Sequence, residues 1–350
     1  MDGLLLVDKP SGPTSHDVVA RMRRALGEKR IGHTGTLDPA ATGLLALVLG
    51  RATRLAQFLS ASDKSYDAVV RLGFSTDTAD AQGRATGPAR EGSWPSREAI
   101  DEALDAFRGT FLQQPPAFSA KKIDGTRSHA LARARARLAA EARLKPRATE
   151  VANPAGPPGP PGPPALPDPP ALPDPVSVTA YAIEIVRAHG DSVTLKVDCS
   201  AGFYVRSLAH DLGERLGTGG HLAALRRTRS GDFTLADAID LDTAEGDPHR
   251  AAAAVIPLAR MLPGLASVVL NADGVRRALH GRDLGPADGS GDVTGFGIRD
   301  SGLTVGDESR VPNPESRRRF VRLLGPSGEL VGIARPSVTP GVLHPSVVLG

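Results

Sequence analysis

Residues 32–45 read Gly-His-Thr-Gly-Thr-Leu-Asp-Pro-Ala-Ala-Thr-Gly-Leu-Leu and place one carboxylate, Asp38, in a turn between two apolar segments. Pro39 biases the backbone of Asp38 toward an extended conformation and so helps to fix the turn. Gly32 and Gly35 allow the main chain to approach a ligand closely. A rigid polar loop with one acid suits a nucleophile or a general base, although an aspartate in a turn most often only bonds its own main chain.

The segments around this loop mix strands and helices without a regular β-α-β repeat, which predicts an α+β fold. Upstream, a strand over Gly3–Val7 precedes a helix that Thr14 or Ser15 caps and Gly27 ends. Downstream, the predicted elements are a strand over 44–49, a helix over 52–59, a strand over 66–72, a helix that begins at Ser96 and a strand over 193–199.

The cysteine content and the motifs exclude several kinds of protein. The 350 residues include one cysteine, Cys199, so an intrachain disulfide is impossible, and no histidines are spaced to grip a metal. Neither a Gly-x-Gly-x-x-Gly nor a P-loop pattern is present, so we expect no cofactor. No apolar run reaches the ~18 residues of a membrane helix and the N-terminus does not resemble a signal peptide. We therefore expect a cytoplasmic protein that does not contact membranes.

Basic residues are clustered, although the net charge is only +3. Clusters of this kind suit a nucleic-acid phosphate backbone, but they are equally typical of solvated helix faces. The clusters are nine Lys or Arg against three Asp or Glu in residues 121–150, and arginines at 21, 23 and 24, at 226, 227 and 229, and at 317–319.

An insertion is predicted at about 132–175. It begins with an Arg/Ala-rich stretch and continues into residues 151–175, which contain 12 prolines. Proline lacks the donor N–H, so the Pro-rich part can form neither a helix nor a central strand and is predicted to be an extended surface spacer.

A domain boundary is predicted near 261–265. Beyond it, Asn271 caps a short helix, and a hairpin of two strands follows at 320–334. We therefore predict one domain over 1–262 and a small strand-rich module over 263–350.

Several stretches that lie far apart in the chain match one known family in the same order. With residues 32–45, they are Lys9-Pro10-Ser11-Gly12-Pro13-Thr14-Ser15, Asp63-Lys64-Ser65-Tyr66, Thr76-Asp77-Thr78 and Cys199-Ser200-Ala201-Gly202-Phe203-Tyr204-Val205-Arg206. From about Gly3 to Ile239 the chain resembles the TruB family of synthases, which convert uridine 55 in the T loop of tRNA to pseudouridine. The tail resembles the PUA-like RNA-binding module of that family more weakly.

This resemblance implies a pseudouridine-synthase fold, in which helices flank a mixed, largely antiparallel central sheet. It implies three catalytic residues: Asp38 attacks the nucleoside at C1′ or C6, Arg206 is the cation beside it, and Tyr66 stacks on the base and takes a proton. The uridine must be flipped out of its loop to reach Asp38. The isomerisation needs no cofactor, the expected partner is the tRNA T stem-loop, and the chain is expected to act as a monomer.

The resemblance also implies substrate-binding residues. His33 matches a residue that fills the space left in the RNA loop, and Lys9, Lys64 and Tyr204 match residues that line the site. Arg54 stands where the family usually has a lysine, which keeps the charge but changes the geometry.

Three other functions are weighed against this one. A guide-RNA-dependent synthase would use the same chemistry with partner proteins, but the chain lacks long basic terminal extensions. A non-catalytic RNA-binding or tRNA-folding protein would use the same basic clusters, but would not need Asp38 and Arg206. A glycosidase-like hydrolase needs two carboxylates placed together, and no second acid in the matched stretches is an evident partner of Asp38.

Overall fold

The computed structural model describes residues 1–116, 122–123, 126–127, 173–290 and 320–350. The predicted insertion at about 132–175 lies outside these residues except for its last three positions. The arginines at 317–319 and most of the basic stretch 121–150 also lie outside them.

In these ranges the structure contains seven α-helices, none long and apolar enough to cross a membrane. They are α1 Ser15–Leu26, α2 Ala56–Ser60, α3 Arg97–Leu104, α4 Val205–Arg215, α5 Leu241–Gly246, α6 Pro248–Ala253 and α7 Ala272–Leu279.

The strands are β1 Gly3–Lys9, β2 Ile31–Thr34, β3 Thr42–Leu49, β4 Lys64–Leu72, β5 Gly109–Gln113, β6 Lys122–Ile123, β7 Thr126–Arg127, β8 Val176–His189, β9 Ser192–Cys199, β10 Gly220–Ser230, β11 Phe233–Thr234, β12 Ile239–Asp240, β13 Ile256–Pro257, β14 Ala266–Val269, β15 Val321–Leu324, β16 Leu330–Pro336 and β17 Leu343–Val348.

Most of these strands form one large sheet in the order β12-β1-β3-β10-β4-β9-β8-β5, with β2, β11 and β13 paired to β3, β10 and β1. Its pairs are antiparallel except β1 with β12 and β3 with β10, which are parallel. Strands β14 to β17 form a separate four-stranded sheet, and β6 pairs with β7. The predicted α+β fold with a mixed, largely antiparallel sheet is confirmed.

The first part of β1, Leu4 to Val7, is apolar because the sheet is covered on both faces at this point. Successive side chains of a strand point to opposite faces. Leu5 and Val7 accordingly belong to the core under α1, whereas Leu4 and Leu6 belong to a second core that includes Ile333 of β16. The C-terminal sheet therefore shares a core with the large one.

Helix α1 begins and ends as predicted, because both of its ends are locally encoded. The Thr14 hydroxyl accepts a hydrogen bond from the Asp17 N–H, and the Asp17 carboxylate accepts one from the Thr14 N–H. Gly27 ends the helix in the left-handed conformation that glycine adopts readily.

The helix predicted over 52–59 is partly wrong. Residues Gly50–Leu55 form a 3₁₀ helix, and only the following residues, in α2, are α-helical. The Thr53 hydroxyl donates to the Gly50 carbonyl, 2.7 Å away and three residues earlier. This side-chain bond spans three residues, like the main-chain hydrogen bonds of a 3₁₀ helix, and competes with the four-residue bonds of an α-helix.

At Gly43 the main chains of β3 and β10 lie so close together that a larger residue would not fit. A Cβ atom at Gly43 would lie 2.3 Å from the Arg227 carbonyl oxygen, whereas one at Gly12 would meet no atom within 4 Å, and both glycines have positive φ. We expect Gly12→Ala to lower the free energy of unfolding by about 1–2 kcal/mol through backbone strain alone. Gly43→Ala should lower it by more than about 4 kcal/mol because the main-chain clash is added. Urea unfolding measures both, and equal losses would contradict the close packing of β3 on β10.

Candidate active site

The Asp38 loop, residues 35–41, joins β2 to β3, two antiparallel strands of the large sheet. Gly35 has a φ of 78°, a conformation that favours glycine, and so turns the chain out of β2. The Ala41 N–H then donates to the Asp38 carbonyl at 3.1 Å and closes a tight turn. The loop presents the Asp38 carboxylate at its apex, where the side chain is 42% exposed.

Neighbouring segments hold this loop in place. Ser15, buried at the start of α1, donates to the Leu37 carbonyl at 3.0 Å and accepts from the Leu37 N–H at 2.9 Å. The Gly12 N–H donates to the Pro39 carbonyl at 2.9 Å. Because these bonds reach both sides of Asp38, the position of the carboxylate is determined by the packing of the N-terminal turn against the loop.

Arg206, in the first turn of α4, forms an ion pair with Asp38. Its Nε atom lies 3.0 Å from Asp38 Oδ2, and its side chain is only 9% exposed. Its Nη1 atom also donates to the Thr78 carbonyl at 3.3 Å. A buried guanidinium with several acceptors has a fixed orientation, so the charge that faces Asp38 is preorganised.

A second carboxylate, Asp80, shares this guanidinium, with Oδ2 lying 3.7 Å from Arg206 Nη1. Asp80 is itself held, since its Oδ1 accepts from the Thr78 hydroxyl at 2.6 Å and from the Gln82 N–H at 3.0 Å. The matched stretches of the sequence did not point to this second acid, because Asp80 lies two residues beyond the stretch that ends at Thr78. Its relation to Asp38 exists only through Arg206, which is distant in sequence.

Lys9, the last residue of β1, lies fully buried beneath the loop. Its ammonium donates to the carbonyls of Pro10 at 2.8 Å and Pro39 at 3.1 Å. Burial lowers the pKa of Lys9 to about 8, and the negative charge of Asp38 opposes this shift.

Tyr66 of β4 is partly buried and lies directly opposite Arg227 of β10 in the strand register. Burial raises the pKa of the Tyr66 hydroxyl, and the positive charge of Arg227 opposes the rise. Arg227 itself is 1% exposed and donates to the carbonyls of Gly35 at 3.0 Å and Leu44 at 2.8 Å. Arg227 therefore fits neither interpretation left open for the arginines at 226, 227 and 229, a phosphate contact or a solvated face, and sequence reasoning did not recognise it as part of the site.

His33 of β2 is partly buried, and its ring meets the ring of His16 edge-on, with centroids 5.0 Å apart. Burial lowers the pKa of His33, and the charges of His16 and Arg227 lower it further. Its Nδ1 atom is buried and has no hydrogen-bond partner among the described residues. His33 therefore lies at the base of the Asp38 loop as an imidazole that is neutral at ordinary pH.

Of the three remaining predicted site residues, Lys64 is in contact with the Asp38 loop, whereas Tyr204 and Arg54 bond other segments. Lys64 is buried and donates to the carbonyls of Ser60, at 2.7 Å, and Ser62. Its side chain also lies against the Asp38 loop, because a Cβ atom at position 35 would be 3.8 Å from Lys64 Cε.

Tyr204 immediately precedes α4, and its main chain exchanges hydrogen bonds of 2.8 and 3.0 Å with the side chain of Gln113. Arg54 instead donates to the Val348 carbonyl of β17 at 2.6 Å, next to a bond of 2.8 Å from Arg51 to the Leu349 carbonyl. These two arginines connect the 3₁₀ helix to the last strand of the C-terminal sheet.

Two family models match the chain. The N-terminal domain of TruB family pseudouridylate synthases matches residues 23–153, which include the Asp38 loop and Tyr66. The C-terminal domain of tRNA pseudouridylate synthase B matches residues 206–262, which begin at Arg206.

Curated relatives cover the chain more completely. Proteins named tRNA pseudouridine synthase B are 37% identical in Solibacter usitatus, over 100% of both chains, and 41% identical in Opitutus terrae, over 71% of this chain and 89% of the relative. A chain from a solved Cbf5-Nop10-Gar1 complex has a TM-score of 0.65 and 24% identity, over 100% of this chain and 85% of its own. That likeness shows the fold alone. The chain belongs to the TruB family and is a pseudouridine synthase, an isomerase that acts on uridine in RNA.

Proposed function

We propose that this enzyme converts uridine 55 in the T loop of tRNA to pseudouridine, with Asp38 as its nucleophile. The observation that carries the proposal is the 3.0 Å ion pair between Arg206 and Asp38. It joins two residues from distant parts of the chain, and it does so at the apex of a loop whose shape neighbouring segments impose. A carboxylate in this setting is paired with a cation, oriented and accessible to a substrate, as nucleophilic attack requires.

The exposures of the two partners support this role. Arg206 is largely buried, whereas two-fifths of the Asp38 side chain remains exposed, so that a nucleoside can approach the carboxylate without displacing its cation. A uridine in a folded RNA loop cannot reach this position while it is stacked. The base must therefore be flipped out of the loop before it reacts.

The proposed reaction rearranges bonds within the substrate and needs no co-reactant. An Asp38 oxygen attacks the nucleoside at C1′ or at C6, the bond between N1 and C1′ breaks, and the uracil rotates. A new bond forms between C5 and C1′, the bond to the Asp38 oxygen breaks, the proton on C5 leaves, and N1 gains a proton, so the product has the composition of the substrate and the carboxylate is restored.

Tyr66 is proposed to stack on the flipped base and to take part in the proton transfer. It lies on the face of β4 that adjoins Arg227, close to the Asp38 loop. Because burial raises its pKa, the hydroxyl is protonated in the resting enzyme, and a role as base depends on the nearby positive charge. His33 is proposed to fill the space vacated in the RNA loop, since a neutral ring can be inserted without a counter-ion.

Support for tRNA as the substrate comes from the curated relatives, which are named tRNA pseudouridine synthase B and are 37–41% identical. Similarity to chains from the solved H/ACA RNP and Cbf5-Nop10 complexes is confined to the fold, at 24% identity or below. We therefore propose an enzyme that acts as a monomer without a guide RNA.

The role of Asp38 is tested by Asp38→Asn, which keeps the shape of the side chain but removes its charge. We expect the single-turnover rate on an unmodified tRNA transcript to fall by roughly 10³-fold or more, because the nucleophile is lost, while RNA affinity changes little. The matched control is Asp191→Asn, which removes an aspartate paired with Arg71 near the other end of β4. Similar rates for wild type and Asp38→Asn would refute the mechanism.

The choice of substrate is tested with the wild-type enzyme alone. Incubation with an unmodified tRNA transcript, without guide RNA, protein partners or cofactor, should convert the T-loop uridine, as mapped by chemical probing and sequencing. A transcript with cytidine at position 55 should gain no pseudouridine elsewhere in the T loop. Conversion at another position, or only after a guide RNA is added, would contradict the proposed specificity.

Lys9 predicts a pH dependence of stability. Its pKa of about 8 in the folded enzyme lies below the usual 10.5, so between these values the unfolded chain binds the additional proton. Stability must then rise with pH across this window, because raising the pH removes the cost of burying a charged ammonium. Relative to Lys9→Met, the wild type should gain on the order of 2 kcal/mol between pH 8 and pH 10.

Denaturant unfolding at a series of pH values measures this difference. Lys29→Met, which removes an exposed lysine, controls for the change in net charge. The prediction is contradicted if the free energy of unfolding of the wild type, relative to Lys9→Met, stays constant or falls between pH 8 and pH 10.

A further inference from the structure

We propose that Arg227 is a positioning residue, whose guanidinium joins the two ends of the Asp38 loop and orients Tyr66 toward it. This inference rests on the proposed roles of Asp38 and Tyr66. Arg227 would raise the reaction rate by holding these two residues in place, without touching the substrate.

The first observation is the pair of main-chain acceptors. Arg227 donates to the carbonyl of Gly35, where the Asp38 loop leaves β2, and to that of Leu44, where the chain has entered β3. One planar group thus spans the base of the loop. A Cβ atom on Gly35 would lie 3.3 Å from Arg227 Nη1, so this glycine permits the close approach.

The second observation is the location of Arg227 in the sheet. Strand β10 lies between β3 and β4, with Arg227 opposite Gly43 on one side and Tyr66 on the other. Neighbours directly across two strands share a face and contact each other. The same side chain therefore touches the loop that carries the nucleophile and the aromatic residue proposed to stack on the base.

The third observation is the burial of the charge. A guanidinium that is 1% exposed loses its hydration, and an apolar side chain of similar volume would fill such a position at lower cost. Charges near Tyr66 are those of Arg227 and Asp38, with the Cys199 thiol also close. Arg227 places a positive charge next to the Tyr66 hydroxyl. Packing alone would not require a charged residue here, so the charge itself is the reason for an arginine at this position.

The experiment compares Arg227→Lys and Arg227→Met. Lysine keeps the charge but lacks the two separate nitrogens, Nε and Nη2, with which Arg227 bonds the two carbonyls, and methionine keeps only the apolar stem. We expect the single-turnover rate constant on a tRNA transcript to fall about 10-fold for the lysine variant and about 100-fold for the methionine variant, because the reacting groups are misplaced. The dissociation constant for the RNA should stay within about threefold of the wild type.

Arg108→Lys is the matched control, because Arg108 also donates to a main-chain carbonyl, that of Ile183, but on the far side of the sheet. Its rate should equal that of the wild type. Combining Arg227→Lys with Tyr66→Phe should cost less than the product of the two single effects, since Arg227 acts partly through Tyr66.

Three outcomes would overturn the proposal: wild-type rates in both Arg227 variants, parallel loss of rate and RNA affinity, or failure of both variants to fold. The last would assign Arg227 to the stability of the sheet alone. Wild-type enzyme and Asp38→Asn are assayed in parallel. An inactive wild type would refute the proposed function, whereas an active wild type with active Arg227 variants would refute only this inference.

Discussion

The ion pair between Arg206 and Asp38 exists only because the loop that carries Asp38 is held in place from outside. This loop has no regular secondary structure of its own, and a free loop would lose conformational entropy on pairing with a fixed cation. Ser15 bonds both main-chain groups of Leu37, and Lys9 bonds Pro39 from below. The loop therefore loses its conformational entropy during folding, when α1 and β1 pack against it. The carboxylate is fixed before any RNA arrives.

Local signals in the sequence predicted a good part of the fold. Helix α1 was delimited correctly because its caps, Thr14 and Gly27, lie within the helix or beside it. Strands β3 and β4 were recognised from short apolar runs, and the pattern after Ser96 located α3. Each of these signals involves residues close together in sequence. The pairing of Arg206 with Asp38 followed only from resemblance to a family, since no spacing rule connects residues so far apart.

The role of the arginines in β10 could not be predicted from their spacing. In a regular strand Arg227 and Arg229 would point to the same face, and Arg226 to the other. The register of β10 against β4 shifts between Arg227 and Arg229, which is a bulge, and bulges redirect side chains. Arg227 is consequently buried, whereas Arg229 is partly exposed and pairs with Asp198. Three arginines that look alike in sequence thus lie in different environments, and the pairing irregularity that contributes to this is not visible in the composition.

Buried and exposed basic residues serve different purposes in this enzyme: the buried ones act on the site, and the exposed ones attract RNA. Lys9, Arg206 and Arg227 are buried around the base of one loop, so their fields act on the exposed Asp38 and on Tyr66 with little screening by solvent. Buried cations cannot neutralise phosphates. Attraction for the RNA backbone must then come from exposed basic residues elsewhere, and that attraction weakens with salt while the inner electrostatics persist. Ionic strength should accordingly change RNA binding much more than the chemical step, because the two depend on different cations.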